Sequence, residues 1–157
     1  MSFSLAIISG DISPSAGGLS TVTGAQKLGQ DLTSLFLTHL GSNPYNPSYG
    51  SLIDGGVRSD GTVVPSPIGS SNIQSVQASM TTEINRLVSL YQAQQTAKIN
   101  SDLSLYNKIT LSPDEMLQSV SSIDFTISFD YLIINITIQT GSNDSVTVTV
   151  PLQGSTI

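Results

Sequence analysis

The last quarter of the chain most constrains what it can fold into. Between Ile123 and Leu152, apolar residues occupy every second position in three consecutive runs. These are Ile123, Phe125, Ile127 and Phe129, then Ile134, Ile136 and Ile138, then Val146, Val148, Val150 and Leu152. A period of two places each set on one side of an extended strand. Gly141-Ser142-Asn143-Asp144 has the length and residue types of a hairpin loop between the last two. The expected product is a three-stranded antiparallel meander with one apolar face. A face of that kind must be covered by another layer, and the upstream sequence has to supply it.

Two upstream stretches carry helical periodicity. Leu28, Leu32, Leu35, Phe36 and Leu40 form one apolar stripe, led by Thr23-Gly24-Ala25-Gln26 at capping-box spacing and followed by Gly41 as a C-cap. Ile73, Val76, Met80, Ile84, Leu87, Val88 and Tyr91 form a second, led by Ser71-Asn72-Ile73-Gln74. Ile99, Leu103 and Tyr106 extend it, so this helix reaches about 30 residues, or ~45 Å. Its far part, 92–108, is polar around most of its circumference and is expected to project or to meet a neighbour. Ser112-Pro113-Asp114-Glu115 predicts a third, short helix ending near Val120, with Ser at N-cap, Pro at N1 and Glu at N3.

The remainder is a short strand and a long connection. Phe3, Leu5 and Ile7 alternate with Ser2, Ser4 and Ala6, which reads as a half-buried N-terminal strand ending at Gly10-Asp11, before a turn-rich loop over Pro14–Gly18. The segment 42–69 holds four of the seven prolines, Pro44, Pro47, Pro65 and Pro67, and admits no long regular element. Extended loops in small domains commonly make contacts or carry function, and Tyr45 and Tyr49 are the aromatic residues of this one. The expected architecture is therefore α+β, one domain over 1–157.

Composition removes several functional classes. The formal net charge is −6, and the five cations, Lys27, Arg58, Arg86, Lys98 and Lys108, stand singly, so no basic stripe exists for a phosphate backbone. No stretch approaches the ~18 apolar residues needed to cross a bilayer, and the first residues lack the pattern of a secretory signal. Cysteine is absent, which excludes disulfides and thiol chemistry and fits assembly in a reducing cytosol. Only 10% of residues are charged, while Ser and Thr make up roughly a quarter of the chain. Such a chain repels itself little and suits packing among other subunits.

Candidate chemistry is sparse. His39 is the lone histidine and lacks the Cys or His partners of a metal site, so a place at a helix C-terminus explains it. Paired carboxylates suffice for glycoside cleavage, which brings Glu83, Asp102, Asp114, Glu115, Asp124 and Asp130 under consideration. Capping explains Asp114 and Glu115, solvated strand positions explain Asp124 and Asp130, and Glu83 sits three residues from Arg86 as a helix-surface pair. Without Trp, the aromatic platform of a sugar cleft is also missing. The expectation is no catalytic residue, no cofactor and no metal. Asn135-Ile136-Thr137 and Asn143-Asp144-Ser145 match the glycosylation sequon by chance.

Several short motifs, taken in order, give the chain a resemblance to a known family. Val22-Thr23-Gly24 leads to Gln30-Asp31-Leu32, and Phe36-Leu37-Thr38 is followed by Gly41, Asn43-Pro44 and Pro47-Ser48-Tyr49-Gly50. Pro113-Asp114-Glu115 then precedes Val120 and the terminal meander. In this order they resemble the baseplate-wedge or tail-sheath-initiator family of contractile phages and related injection machines, historically labelled lysozyme but architectural in role. Many members carry Glu-Pro-Arg before the sheet; this chain has Ser112-Pro113-Asp114-Glu115 and no arginine after Arg86. The resemblance implies a tail baseplate subunit of the virion, assembled in the host cytoplasm. It would contact wedge, tube and sheath proteins in a ring of six or another multiplicity, with no nucleic acid or membrane partner. It also implies strand addition at an open sheet edge, with Val146, Val148, Val150 and Leu152 on the last strand and Tyr45, Pro47 and Tyr49 in the loop as contact residues. Two alternatives stand beside it: a peptidoglycan hydrolase at a tail tip, and an adaptor in a related injection machine or non-contractile tail.

Overall fold

The computed structural model describes residues 3–153 apart from 9–10, 13, 16–17, 69–71 and 129. The predicted Ser71 cap, Phe129 and much of the Pro14–Gly18 turn lie outside the described residues. The chain is α+β. It opens with six two-residue strands: β1 (Ser4–Leu5), β2 (Ile7–Ile8), β3 (Asp11–Ile12), β4 (Pro14–Ser15), β5 (Gly18–Leu19) and β6 (Thr21–Val22). Helix α1 (Gly24–Leu37) follows, then β7 (Gly56–Val57) and β8 (Val63–Val64), and the long helix α2 (Ile73–Tyr106). A single 3-10 turn, Pro113–Glu115, leads into β9 (Leu117–Ile127), β10 (Tyr131–Thr140) and β11 (Ser145–Gln153).

The meander forms as its alternation requires, antiparallel in the order β11-β10-β9. Leu132, Ile134, Ile136 and Ile138 of the central strand are buried, as are Val148, Val150 and Leu152 of its neighbour. α1 lies against β11 and α2 against β9, both on this apolar face. Leu28, Leu32, Leu35 and Phe36 of α1 and Met80, Ile84, Leu87 and Val88 of α2 complete one continuous core with the strands. Each fully buried aliphatic side chain contributes about 1.5–3 kcal/mol, so this cluster is the main source of stability. Lys27, Asp31 and Tyr91 join the helices: Lys27 Nζ meets Asp31 Oδ2 at 2.5 Å, and the Tyr91 hydroxyl donates to the same oxygen at 3.3 Å. Burial, reinforced by the Asp31 charge, pushes the Tyr91 phenol well above its ordinary pKa.

Local signals met competition in three places, in the N-terminal strand and at the two ends of α1. The N-terminal alternation is inverted, because Ala6 is buried while Phe3, Leu5 and Ile7 are exposed. α1 stops at Leu37 rather than near Leu40, because Thr38 and Leu40 bond to Ser51 through Ser51 N–H to Thr38 O (2.8 Å) and Leu40 N–H to Ser51 O (2.9 Å). His39 therefore lies beyond the helix, exposed, with Nε2 3.7 Å from Asp54. Thr23 holds the N-cap position of α1 but makes no side-chain cap bond; instead the Asp114 carboxylate sits against Gly24, whose φ of +60° suits glycine. For α2 the capping residue is Asn72, whose side chain accepts the Ser75 N–H at 3.1 Å.

The largest departure is the third helix. Glu115 does fold back, its Oε2 accepting the Ser112 N–H at 3.0 Å, yet no helix continues to Val120. Gln95 of α2 explains this. Its amide nitrogen donates to Glu115 O at 2.7 Å and its amide oxygen accepts the Leu117 N–H at 2.9 Å. A side-chain amide that takes the carbonyl of one residue and the N–H two residues on imitates a neighbouring strand, and it holds the chain extended. Gln95 and Glu115 are both buried, so the bonds are made where water cannot replace them. Gln95→Leu is expected to lower unfolding free energy by roughly 2–4 kcal/mol, because two buried backbone groups lose their partners; urea denaturation of the purified chain measures it.

Candidate interface at an open sheet edge

A three-stranded sheet has two edges, and this one treats them differently. At the start of β9, Gln92 donates to Leu117 O and Gln118 O, at 3.4 and 2.8 Å, beside the Gln95 clamp. The β9–β10 register also slips twice, between Thr137 and Ile138 and between Gln139 and Thr140. Bulges and covering side chains both blunt an edge. β11 pairs with β10 from Leu152↔Leu132 to Val146↔Ile138 without a slip, and Ser145–Gln153 contains no charge.

The turns fix which backbone groups of β11 are unpaired. Thr140 N–H donates to Asp144 O at 2.9 Å, and Asn143 N–H to Thr140 O at 3.0 Å, closing a three-residue loop with Asn143 at φ +65°. On the other side of β10, Ser128 N–H donates to Tyr131 O at 2.9 Å. Hydrogen-bonded and non-bonded pairs alternate along an antiparallel ladder. The even-numbered residues of β11 therefore bond to β10, while the N–H and C=O of Ser145, Thr147, Thr149 and Gln153 point outward. Pro151 shares that outward parity, so its missing N–H costs the ladder nothing. Among the described residues no backbone bond reaches these outward groups.

The same alternation reassigns the contact side chains. Val148, Val150 and Leu152 are buried and Val146 is half-buried against Gly29 of α1, so these side chains serve the core. What β11 offers is backbone, together with the hydroxyl-rich outer face. There Thr149 Oγ1 donates to Asn135 Oδ1 at 2.9 Å, and the Thr137 and Thr147 hydroxyls lie 3.4 Å apart. Both sequons lie in this stretch, with Asn135 occupied by that bond. The sequence alone exposes the strand's lack of charges, but the parity of its backbone groups emerges only from the turn geometry.

The loop residues divide as well. Tyr45 is 97% exposed and Pro47 is exposed, whereas Tyr49 is half-buried against the core. Glu83 and Arg86 hold the loop's end: Glu83 Oε1 accepts the Leu52 N–H at 2.9 Å, and Arg86 donates to Glu83 at 2.7 and 2.8 Å and to Gly50 O at 3.3 Å. Sequence spacing marks this as a surface pair, but Glu83 is buried and serves as a loop anchor. Gly50 is required there, since at φ +114° a Cβ would lie 2.7 Å from Thr38 O and 2.8 Å from His39 O. Asp102 is similarly engaged. Asp102 accepts the Thr110 hydroxyl at 2.5 Å and its N–H at 3.1 Å, and Lys98 lies 3.5 Å away. The Thr110 hydroxyl bond, against some desolvation, holds the Asp102 carboxyl below its ordinary value. Among the described residues no three His, Cys, Asp or Glu groups converge as metal ligands, and no helix is long and apolar enough to cross a membrane. Comparison with protein-family models, curated proteins and solved structures finds no match to this chain.

Burial raises the Glu83 pKa, but the Arg86 hydrogen bonds and the Leu52 N–H outweigh it and leave the carboxyl below its ordinary value. A depressed folded-state pKa contributes stability that is fully present above the unfolded value and lost as pH falls through the folded one. Acidification below about pH 4.3 should therefore weaken the loop anchor. Glu83→Gln should cost roughly 1–3 kcal/mol at neutral pH and shrink the difference between urea midpoints at neutral and acid pH.

Proposed function

We propose that this chain is a structural subunit of a phage-type tail baseplate that receives a neighbour's strand along β11. The observation carrying this reading is the contrast between a nine-residue, uncharged, unslipped edge and a partner edge that is bulged and clamped by glutamines. Soluble proteins blunt long flat edges, and one left regular is the usual docking place for an extended segment. The ordered motifs from Val22 to Val120 supply the assignment to a tail, with the first sheath ring as the neighbour and a ring of six as the expected multiplicity. Tyr45 and Pro47, on a loop fixed at its base by Glu83 and Arg86, form a second contact point within the ring. In this reading the chain has no catalytic task, and Glu83, Asp102 and Glu115 serve structure.

The edge parity gives a test that leaves the core alone. Thr149→Pro removes an outward N–H without touching the β10 ladder, as Pro151 already does. Val148→Pro removes an inward one and should unfold the sheet. The Thr149→Pro chain is expected to keep its melting temperature within a few degrees, to enter baseplates, and to leave sheath unassembled in electron micrographs of the particles. Normal sheath on Thr149→Pro particles would refute templating by this edge. Finding the protein outside the tail would refute the assignment as a whole.

A further inference from the structure

The first strand has a second open edge, and a single side chain occupies it. Ser4 and Leu5 pair with Val22 and Thr21, Ala6 N–H donates to Ser20 O at 2.8 Å, and Ile7 and Ile8 pair with Ile12 and Asp11. By the same parity argument, even-numbered residues face these partners and odd ones face away. The two odd groups that find a partner meet Gln30 of α1. Its amide nitrogen donates to Leu5 O at 2.8 Å, and its amide oxygen accepts the Ile7 N–H at 2.9 Å. This is the arrangement Gln95 makes with Glu115 and Leu117, with one difference. Gln95 is buried, whereas the Gln30 bonds lie at the surface, where water competes for every group.

Little else holds the strand to α1. Ala6 is its buried apolar side chain, while Phe3 is 70% exposed and Ile7 51%. Ala6, Ile7 and Ile8 form one wall of a hollow of about 710 Å³, and Gln26, Thr33 and Leu37 of α1 help form the other. The strand thus meets α1 through the Gln30 bonds and Ala6, with a hollow beside them. We propose that Gln30 is a latch, and that the strand Ser4–Ile8 is a strap that lifts from α1 when the two amide bonds break. Released, it frees the Leu5 carbonyl and the Ile7 N–H along its edge, beside the already exposed side chains of Phe3, Leu5 and Ile7, the chemistry of a segment that joins another sheet. Nothing in this device depends on β11 or on the tail assignment.

Hydrogen exchange on the full chain, read residue by residue by NMR, tests the latch. Gln30→Leu keeps the apolar stem and removes both bonds. It should lower protection at the Ile7 amide about tenfold or more while leaving Ile134 and Ile136 unchanged. Gln30→Glu adds a signature that packing alone would not give. Ionised, it can accept from Ile7 but cannot donate to Leu5; protonated, it can do both. Protection at Ile7 in this variant, relative to wild type at each pH, should therefore rise as pH falls through about 4. Unchanged Ile7 protection in Gln30→Leu would overturn the proposal, as would a parallel loss at Ile136. So would a Gln30→Glu chain with no recovery in acid.

Discussion

Everything in this molecule depends on the period-two alternation of β10 and β11. Leu132, Ile134, Ile136 and Ile138 can reach the helices only because every intervening residue turns the other way. A slip of one residue would bring Asn135, Thr137 and Gln139 into the core and expel four aliphatic side chains. Both helices take their orientation from this face, α1 above β11 and α2 above β9. The unslipped register between the two strands is therefore a condition of the core as well as a feature of the edge.

Recurring glutamine clamps then decide where extended chain begins. Gln95 converts a strong helix-start signal into one turn and a strand, while Gln92 and Gln30 hold other extended segments against helices. A glutamine amide carries a donor and an acceptor at about peptide spacing, so it can stand in for a strand wherever a helix runs alongside. The effect on stability depends on solvent, being large for buried Gln95 and small for surface Gln30.

This explains which parts of the fold were legible in the sequence. The meander, both long helices and the segment 42–68, irregular apart from the two-residue strands β7 and β8, follow from periodicity and from proline. The extent of the third helix, the end of α1 and the exposed side of the first strand were not legible, because each depends on a partner distant in sequence: Gln95, Ser51 and Gln30. The proposed interface was half legible. Alternation and absence of charge mark β11, but they point to Val148, Val150 and Leu152, which the core claims. The outward groups of Thr147 and Thr149 carry no sequence signature, since any residue but proline at those positions would supply them.

Pro151 puts a gap in the edge between Thr149 and Gln153. It interrupts the row of outward donors after Thr149 while leaving the inner ladder intact. A strand added here, as proposed, would find bonding positions up to Thr149 and then a missing donor, which would mark its register. Stacking of identical edges into an unlimited fibre requires donors that continue along the strand. A proline at this position favours a finite, stoichiometric pairing over open-ended growth. A residue that costs the inner ladder nothing thus interrupts the row of donors on which such growth would depend.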